Sequence, residues 1–281
     1  SKNIIINIDK NQLNNLNINF DLKINLDAKI FFEKIKNKIK QKKLCKLIKL
    51  KKLNWYEPQQ TKFPNSNVFI KNLTQKTKGK TCIVVDGGGT ALYAGFQSSI
   101  INKDNRIICS SAISSMGTGL AETIGAYKSK KFKNIICVIG DGSFLMNCQD
   151  LQTIFHEKIN VKIIIVNNNG YLAIRHTQKE FLNKRYRGTM PPNDISFPDF
   201  KKLSNSFKIK YKKIASLNES KKFLNNITKN KEPMIIDLIV DEDQPTLFKQ
   251  GYKQNSDKTF SPMELSEMFP FVKVPISNTN N

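Results

Sequence analysis

The feature that most constrains this chain is a regular alternation of strand-like and helix-like segments that begins at Lys80. Short apolar runs, which predict buried strands, occur at 81–85, 106–109, 134–139, 161–166, 209–214 and 234–240. Between them, apolar residues recur at helical spacing at 91–100, 119–129, 148–157, 198–207 and 219–228. Such alternation predicts parallel strands joined by helical crossovers, and strands that are apolar on both faces predict helices on both sides. The expected fold is therefore α/β, with a doubly wound, mostly parallel sheet.

The first part of the chain does not follow this pattern. Residues 1–42 predict a strand at 4–9, then a loop, then a helix marked by Phe31, Ile35 and Ile39. These elements are too few to bury a core of their own. We interpret this segment as the end of another domain.

Three further segments follow from composition. Residues 43–66 form a Lys-rich linker that contains two prolines. Residues 67–245 form the regular domain, which opens with a helical pattern at 68–77. Residues 246–281 are expected to be an extended tail with one short helix near 262–268 and a disordered final four residues.

Charge and cysteine content narrow the possible partners. The 281 residues carry a formal net charge of +23, of which ten lysines fall in 34–52. Because Lys is abundant throughout, we interpret this segment as a solvated linker helix, with a membrane-bound amphipathic helix as the alternative. No window approaches about 18 consecutive apolar residues, so a membrane is not an expected partner. Because the Lys bias is uniform along the chain, nucleic acid is not an expected partner either. The five cysteines are odd in number and lack Cys-x-x-Cys spacing, which favours a reducing, cytoplasmic setting.

Polar residues follow two successive predicted strands. Gly140-Asp141-Gly142-Ser143 comes directly after the run at 134–139, and Asn167-Asn168-Asn169-Gly170 comes directly after the run at 161–166. Both strand ends should lie on the same rim of the sheet, where ligands bind in doubly wound folds. A carboxylate and an amide oxygen beside a helix that begins near Asn147 suit Mg²⁺ and a phosphate group. The alternative is a strand–turn in which Asp141 caps a helix.

The 27-position separation of Asp141 and Asn168 resembles the cofactor motif of thiamine-diphosphate-dependent enzymes. The sequences at 114–120, 143–147 and 161–166 resemble the acetolactate-synthase-like branch of that family. The resemblance covers roughly residues 1–270, with 1–42 similar to the end of the family's middle domain and 67–245 similar to its thiamine-diphosphate-binding domain. It implies two cofactors, thiamine diphosphate and Mg²⁺.

The resemblance also implies roles for particular residues. Mg²⁺ would be bound by Asp141, Asn168 and the backbone carbonyl of Gly170. Met116 would hold the two cofactor rings in a V shape, although an ordinary core Met is the alternative. The remaining cofactor-binding residues would be Gly89, Thr90, Ser114, Gly140, Gly142, Ser143, Tyr171 and Leu172. For the glycines at 87–89, the alternative interpretation is a tight turn with no contact to the cofactor. Arg175 and His176 would face either a substrate carboxylate or solvent.

The resemblance further implies that part of the enzyme lies outside this sequence. The Glu that activates the cofactor belongs to a separate pyrimidine-binding domain, so no catalytic residue is assigned here. The chain is interpreted either as a C-terminal fragment of a homo-oligomeric enzyme or as one subunit whose partner carries that domain. The implied reaction is decarboxylation of a 2-oxo acid such as pyruvate followed by carboligation. The alternatives are simple decarboxylation and, from another class, a non-catalytic cofactor- or partner-binding subunit.

Overall fold

A computed structural model describes residues 3–16, 19–38, 61–110, 112–192, 194–227, 231–246, 249–264 and 268. The chain divides into two compact units, Ser1–Glu57 and Pro58–Asn281, so the division falls within the predicted linker. Most of that linker, and the four C-terminal residues, lie outside the described residues. Among the helices that are described, none has the length and apolar character needed to cross a membrane.

The N-terminal unit is a small β-α-β-α arrangement. Its elements are β1 (Ile4–Asn7), α1 (Lys10–Asn14), β2 (Leu22–Asn25) and α2 (Ala28–Ile35), with β1 and β2 parallel. The predicted loop between strand and helix is therefore wrong, because it contains α1 and β2. Both elements have five residues or fewer, which is too short for their periodicity to stand out. The predicted helix residue Ile39 lies outside the described residues.

The second unit contains a six-stranded parallel sheet, which confirms the predicted fold class. In chain order the strands are β3 (Thr81–Val85), β4 (Asn105–Cys109), β5 (Asn134–Gly140), β6 (Val161–Asn167), β7 (Lys210–Ile214) and β8 (Met234–Ile239). Their spatial order is β4-β3-β5-β6-β8-β7. Each strand matches its predicted run to within one residue at either end. Four adjacent strands, β3, β5, β6 and β8, carry the mostly apolar runs that a sheet covered on both faces requires.

Helices cover both faces because successive side chains of each strand point in opposite directions. On one face, α3 (Ser66–Lys76), α4 (Gly89–Ser98) and α10 (Leu217–Asn226) pack against residues such as Ile136 and Ile164. On the other face, Cys137 and Ile163 contact a second set of helices. These are α5 (Gly119–Lys128), α6 (Asp141–Met146), α7 (Leu151–His156) and α9 (Phe200–Ser206).

The order of the strands determines where a ligand site can form. The connection from β3 leads to β4 on one side, and the connection from β4 returns to β5 on the other side of β3. The direction of winding therefore reverses between β3 and β5, and a crevice opens outside the carboxyl ends of the strands at such a reversal. Asp86, Asp141 and Asn168 follow the ends of β3, β5 and β6 respectively, so all three lie beside this crevice.

The C-terminal segment contains a hairpin that was not predicted. Strands β9 (Tyr252–Gln254) and β10 (Phe260–Pro262) pair antiparallel, and the rings of Tyr252 and Phe260 pack edge-on against Phe181. The helix predicted near 262–268 is wrong at its start, because Pro262 lies in β10. Residues 265–267 of that prediction lie outside the described residues. Strands of three residues are too short to reveal a period of two.

The central strand β6 provides a test of the packing. Ile164 is fully buried on the face covered by α3, α4 and α10. We expect Ile164→Ala to lower the free energy of unfolding by about 3–4 kcal/mol, because it removes buried methyl groups and leaves a cavity. Val68→Ala, on the exposed side of α3, is the control and should change it by less than about 0.5 kcal/mol. Urea unfolding measures both, and equal effects would contradict the assigned core.

Candidate functional site

The end of β5 leads directly into a helix. Gly140 is the N-cap of α6, and Asp141, Gly142 and Ser143 form its first turn. The prediction of a helix that begins near Asn147 is therefore wrong, because α6 starts six residues earlier and Asn147 ends it. The predicted helix at 148–157 is a 3₁₀ turn followed by α7. As a result, the N-terminus of a helix lies immediately beside the crevice.

Asp141 joins the ends of two neighbouring strands. One carboxylate oxygen accepts a hydrogen bond from the N–H of Gly142 at 2.7 Å, and the other accepts one from the N–H of Gly170 at 2.9 Å. The side chain is only 2% exposed. Burial raises the pKa of Asp141 to about 6, although these N–H groups and the charge of Arg175 counteract part of that effect. A buried carboxylate is a natural ligand for a cation.

Two polar atoms in the same region are buried without a hydrogen-bond partner among the described residues. They are Asn168 Oδ1 and Ser143 Oγ. The other end of the Asn168 amide is satisfied, because its Nδ2 donates to Thr90 Oγ1 at 2.8 Å. An unpaired buried polar group costs about 1–3 kcal/mol, and such groups are rare unless an ion, water or ligand completes them. Asn168 Oδ1 can be completed only by a donor or a cation.

Three helices begin beside these atoms without a side-chain cap. They are α4, which starts at Gly89, α6, which starts at Asp141, and α8 (Leu172–Phe181). Asp, Asn or Ser side chains cap α1, α2, α3, α9 and α10, whereas α5 and α7 also lack a side-chain cap. The first N–H groups of a helix and its positive end attract anions. Three such ends together suit a ligand with several negative oxygens.

These features surround one small cavity of about 60 Å³. Eleven of the twelve cofactor-binding residues predicted from the sequence line it, namely Gly89, Thr90, Met116, Gly140, Asp141, Gly142, Ser143, Asn168, Gly170, Tyr171 and Leu172. The cavity is also lined by Gly88, Ala173 and Ile174, which were not predicted. The sequence did not predict helix α8, because Asn169-Gly170 is typical of a loop. The apolar residues at 172, 174 and 181 were the sequence signal that could have indicated this helix.

Two glycines allow the close packing around the cavity. A Cβ at Gly142 would overlap the ring of Tyr171. Gly170 has a φ of +137°, which side chains rarely adopt, and a Cβ there would overlap the carbonyl oxygen of Thr189. Position 170 therefore requires glycine, whereas a side chain at 142 would have to displace the Tyr171 ring.

Ser114 is the predicted cofactor residue that does not line the cavity. It has a φ of 54°, and Gly87 packs against its carbonyl group so closely that no Cβ fits there. Asp86 accepts hydrogen bonds from the N–H groups of Gly88 and Gly119, each at 3.0 Å. The glycine run is thus a tight turn held by Asp86, and its last member, Gly89, also lines the cavity.

Arg175 has neither of the environments expected from the sequence. It is 3% exposed and donates to the backbone carbonyls of Asn168 at 2.9 Å and Asn169 at 3.1 Å, and also to those of Thr189 and Glu242. The guanidinium therefore holds the loop after β6 in place and contacts neither solvent nor the cavity. His176, next along α8, is partly buried beside the C-terminal hairpin, and burial lowers its pKa.

Comparisons with known proteins agree with this geometry. A family model described as thiamine pyrophosphate enzyme, C-terminal TPP binding domain, matches residues 86–238, just over half of the chain. The acetolactate synthase large subunit of Cyanidium caldarium is 35% identical over 133 residues, which cover 47% of this chain and 22% of that protein. The acetolactate synthase large subunit of Lactococcus lactis is 28% identical over 192 residues, which cover 68% of this chain and 32% of that protein.

A solved structure shows the same fold. The Rhodococcus jostii RHA1 thiamine diphosphate-dependent 4-hydroxybenzoylformate decarboxylase superposes with a TM-score of 0.67 at 20% identity, covering 86% of this chain and 44% of that one. This chain aligns with about a third or less of the length of the curated relatives that it matches. The matched region includes Asp141, Asn168 and the crevice between β3 and β5. The chain belongs to the thiamine pyrophosphate enzymes, through their C-terminal TPP-binding domain.

Proposed function

We propose that this chain supplies the diphosphate- and metal-binding part of an enzyme that depends on thiamine diphosphate and Mg²⁺ and acts on a 2-oxo acid such as pyruvate. The reaction is decarboxylation followed by carboligation, as the names of the acetolactate synthase relatives suggest. One observation carries the proposal. The unpaired Asn168 Oδ1 and the buried Asp141 carboxylate lie in a cavity on which three uncapped helix N-termini converge.

The residues present fit a Mg²⁺ ion. Asp141 and Asn168 offer oxygen atoms, and the carbonyl of Gly170 is the third proposed protein ligand. Mg²⁺ prefers oxygen ligands and commonly completes its shell with phosphate oxygens and water. A cation here would satisfy Asn168 Oδ1 and would offset the burial that raises the pKa of Asp141.

The residues also fit a diphosphate. Ser143 Oγ is buried and unpaired among the described residues, and the first N–H groups of α4, α6 and α8 border the same cavity. Thr90 has two roles in this proposal. Its Oγ1 accepts from Asn168 Nδ2, which turns Asn168 Oδ1 towards the metal position, and its own hydroxyl proton remains to be donated to a phosphate oxygen.

Met116, Tyr171 and Leu172 form the remaining wall on which the rings of the cofactor are proposed to lie. Thiamine diphosphate, when bound, supplies the carbon nucleophile and the electron sink that decarboxylation of a 2-oxo acid requires. The task of these residues is to orient the cofactor and to exclude water. The activating Glu and a pyrimidine-binding domain are proposed to come from a longer form of this polypeptide in a homo-oligomer, or from a partner subunit. A cytoplasmic location is part of the same proposal, and the four described cysteines are free thiols.

Product analysis of the assembled enzyme tests the reaction type. With pyruvate alone the proposal predicts an acetolactate-type ligation product, and with pyruvate plus an aldehyde it predicts a mixed hydroxyketone. Release of free aldehyde as the sole product under both conditions would instead support simple decarboxylation.

The first prediction concerns ligand binding. Asp141→Ala should weaken the Mg²⁺-dependent binding of thiamine diphosphate by about tenfold or more, the equivalent of about 1.4 kcal/mol, because it removes the charged metal ligand. Isothermal titration with the full chain measures this. Asp104→Ala removes an exposed carboxylate near the start of β4 and should leave binding unchanged. Equal affinity of Asp141→Ala and the unchanged chain would refute the proposed metal site.

The second prediction concerns pH. Since burial raises the pKa of Asp141 to about 6, the native state keeps its proton up to about pH 6, whereas the unfolded chain releases it near pH 3.8. Raising the pH through this window therefore destabilises the fold, because the native state binds more protons. Without divalent metal, we expect the stability of the chain relative to Asp141→Asn to fall by about 2–3 kcal/mol between pH 4 and 7. Urea unfolding across that range measures the difference, and a flat profile would contradict the raised pKa.

A further inference from the structure

A small polar network lies in the otherwise apolar interior beside the site. Asp237 is 5% exposed in the middle of β8, between the buried residues Ile236 and Leu238. One of its carboxylate oxygens accepts from Asn167 Nδ2 at 2.8 Å, and the other accepts from the hydroxyl of Tyr211 at 2.7 Å. The function proposed above makes no use of Asp237 or Tyr211. A buried carboxylate is costly, so its retention calls for an explanation.

The chemistry of the three groups allows only one arrangement. A carboxylate only accepts hydrogen bonds. Burial, together with the neighbouring Asp237, raises the pKa of Tyr211 well above its usual range, so its hydroxyl stays protonated and donates. Asn167 must therefore turn its NH₂ group towards Asp237. Its carbonyl oxygen is then directed away from Asp237.

This orientation reaches the loop that contains the proposed metal ligand. Asn167 Oδ1 accepts from the backbone N–H of Asn169 at 3.2 Å, and the backbone carbonyl of Asn167 accepts from the N–H of Val240 at 3.0 Å. Asn169 has a φ of 57°, so its backbone is in the left-handed region, which this bond helps to hold. Asn168 lies between Asn167 and Asn169 in the chain. The fixed backbone on either side of it directs Asn168 Oδ1 into the cavity.

We propose that Asp237 is a positioning residue for the metal ion: by fixing the amide orientation of Asn167, it sets the backbone from which Asn168 reaches the metal. The inference rests on the proposed function, since it takes Asn168 as a Mg²⁺ ligand. Arg175 holds the carbonyl groups of Asn168 and Asn169 independently. Loss of the Asp237 contact therefore reorients the loop while leaving it folded.

The test removes the acceptor at 237 and then rebuilds the network with donor and acceptor exchanged. In Asp237→Leu, no acceptor faces the NH₂ group of Asn167, so the orientation of the Asn167 amide is no longer fixed from β8. Binding of Mn²⁺, as a probe for Mg²⁺, in the presence of thiamine diphosphate should weaken by about tenfold or more, as is typical when a partner of a metal ligand is lost. Electron paramagnetic resonance titration of free Mn²⁺ measures this with the full chain.

The double variant Asp237→Asn with Asn167→Asp is the matched control. The carboxylate at 167 accepts from both the amide at 237 and the N–H of Asn169, so every hydrogen bond of the network is restored with the same net charge. We expect its Mn²⁺ affinity to return to within about threefold of the original chain. Rescue by exchange depends on hydrogen-bond direction and would not occur if Asp237 only filled space.

The outcomes separate the two claims. If Mn²⁺ binding is unaffected by Asp141→Ala, the proposed function fails, whatever the network does. If Asp141→Ala weakens binding but Asp237→Leu does not, or the double variant binds Mn²⁺ more than about threefold more weakly than the original chain, the positioning role is overturned. If Asp237→Leu does not fold, the double variant decides alone: it must fold and bind Mn²⁺ as the original chain does for the proposal to stand.

Discussion

The hydrogen bond from the Gly170 N–H to the Asp141 carboxylate joins the loop after β6 to the start of α6 after β5, and the site depends on it. It requires β5 and β6 to be adjacent and parallel, which the sheet order provides. It also requires glycine at 170, because the backbone there adopts a positive φ against the Thr189 carbonyl. With this bond in place, Asp141 is buried beside Asn168, and the two side chains form the proposed metal-binding pair.

The site brings together several features that cost stability. The three helices that begin at the cavity lack a side-chain cap, whereas five other described helices have an Asp, Asn or Ser cap. Asn168 and Ser143 each keep a buried atom unpaired among the described residues, and burial raises the pKa of Asp141. Each feature costs stability when the chain is alone, and each is relieved by a cation or an anionic ligand. Local violations of this kind are expected at functional sites. The well-packed sheet, with Ile164 at its centre, compensates for them.

The sequence predicts the sheet, and the position of Asp141 and Asn168 at neighbouring strand ends, because these signals are local. The run 161–166 is apolar at all but one position, and Gly140-Asp141-Gly142 follows the preceding run without interruption. Helices α6 and α8 were missed because they begin at Gly-Asp-Gly and directly after Asn-Gly-Tyr, where loops are the more common outcome. Arg175 was expected at a surface or a substrate because Arg is seldom buried; its four carbonyl partners come from three separate segments and cannot be inferred from spacing. Asp237, a single charge within an apolar strand, was a visible signal of a buried partner.

The most direct test of the account is a crystal structure of the chain with thiamine diphosphate and Mn²⁺, whose anomalous scattering locates the metal. The account predicts one metal ion about 2.1 Å from an Asp141 carboxylate oxygen and from Asn168 Oδ1, as expected for a small divalent cation with oxygen ligands. It also predicts the diphosphate at the N-termini of α4, α6 and α8, with Ser143 Oγ bonded to it. A metal ion bound elsewhere, or a diphosphate outside this cavity, would contradict the central claim.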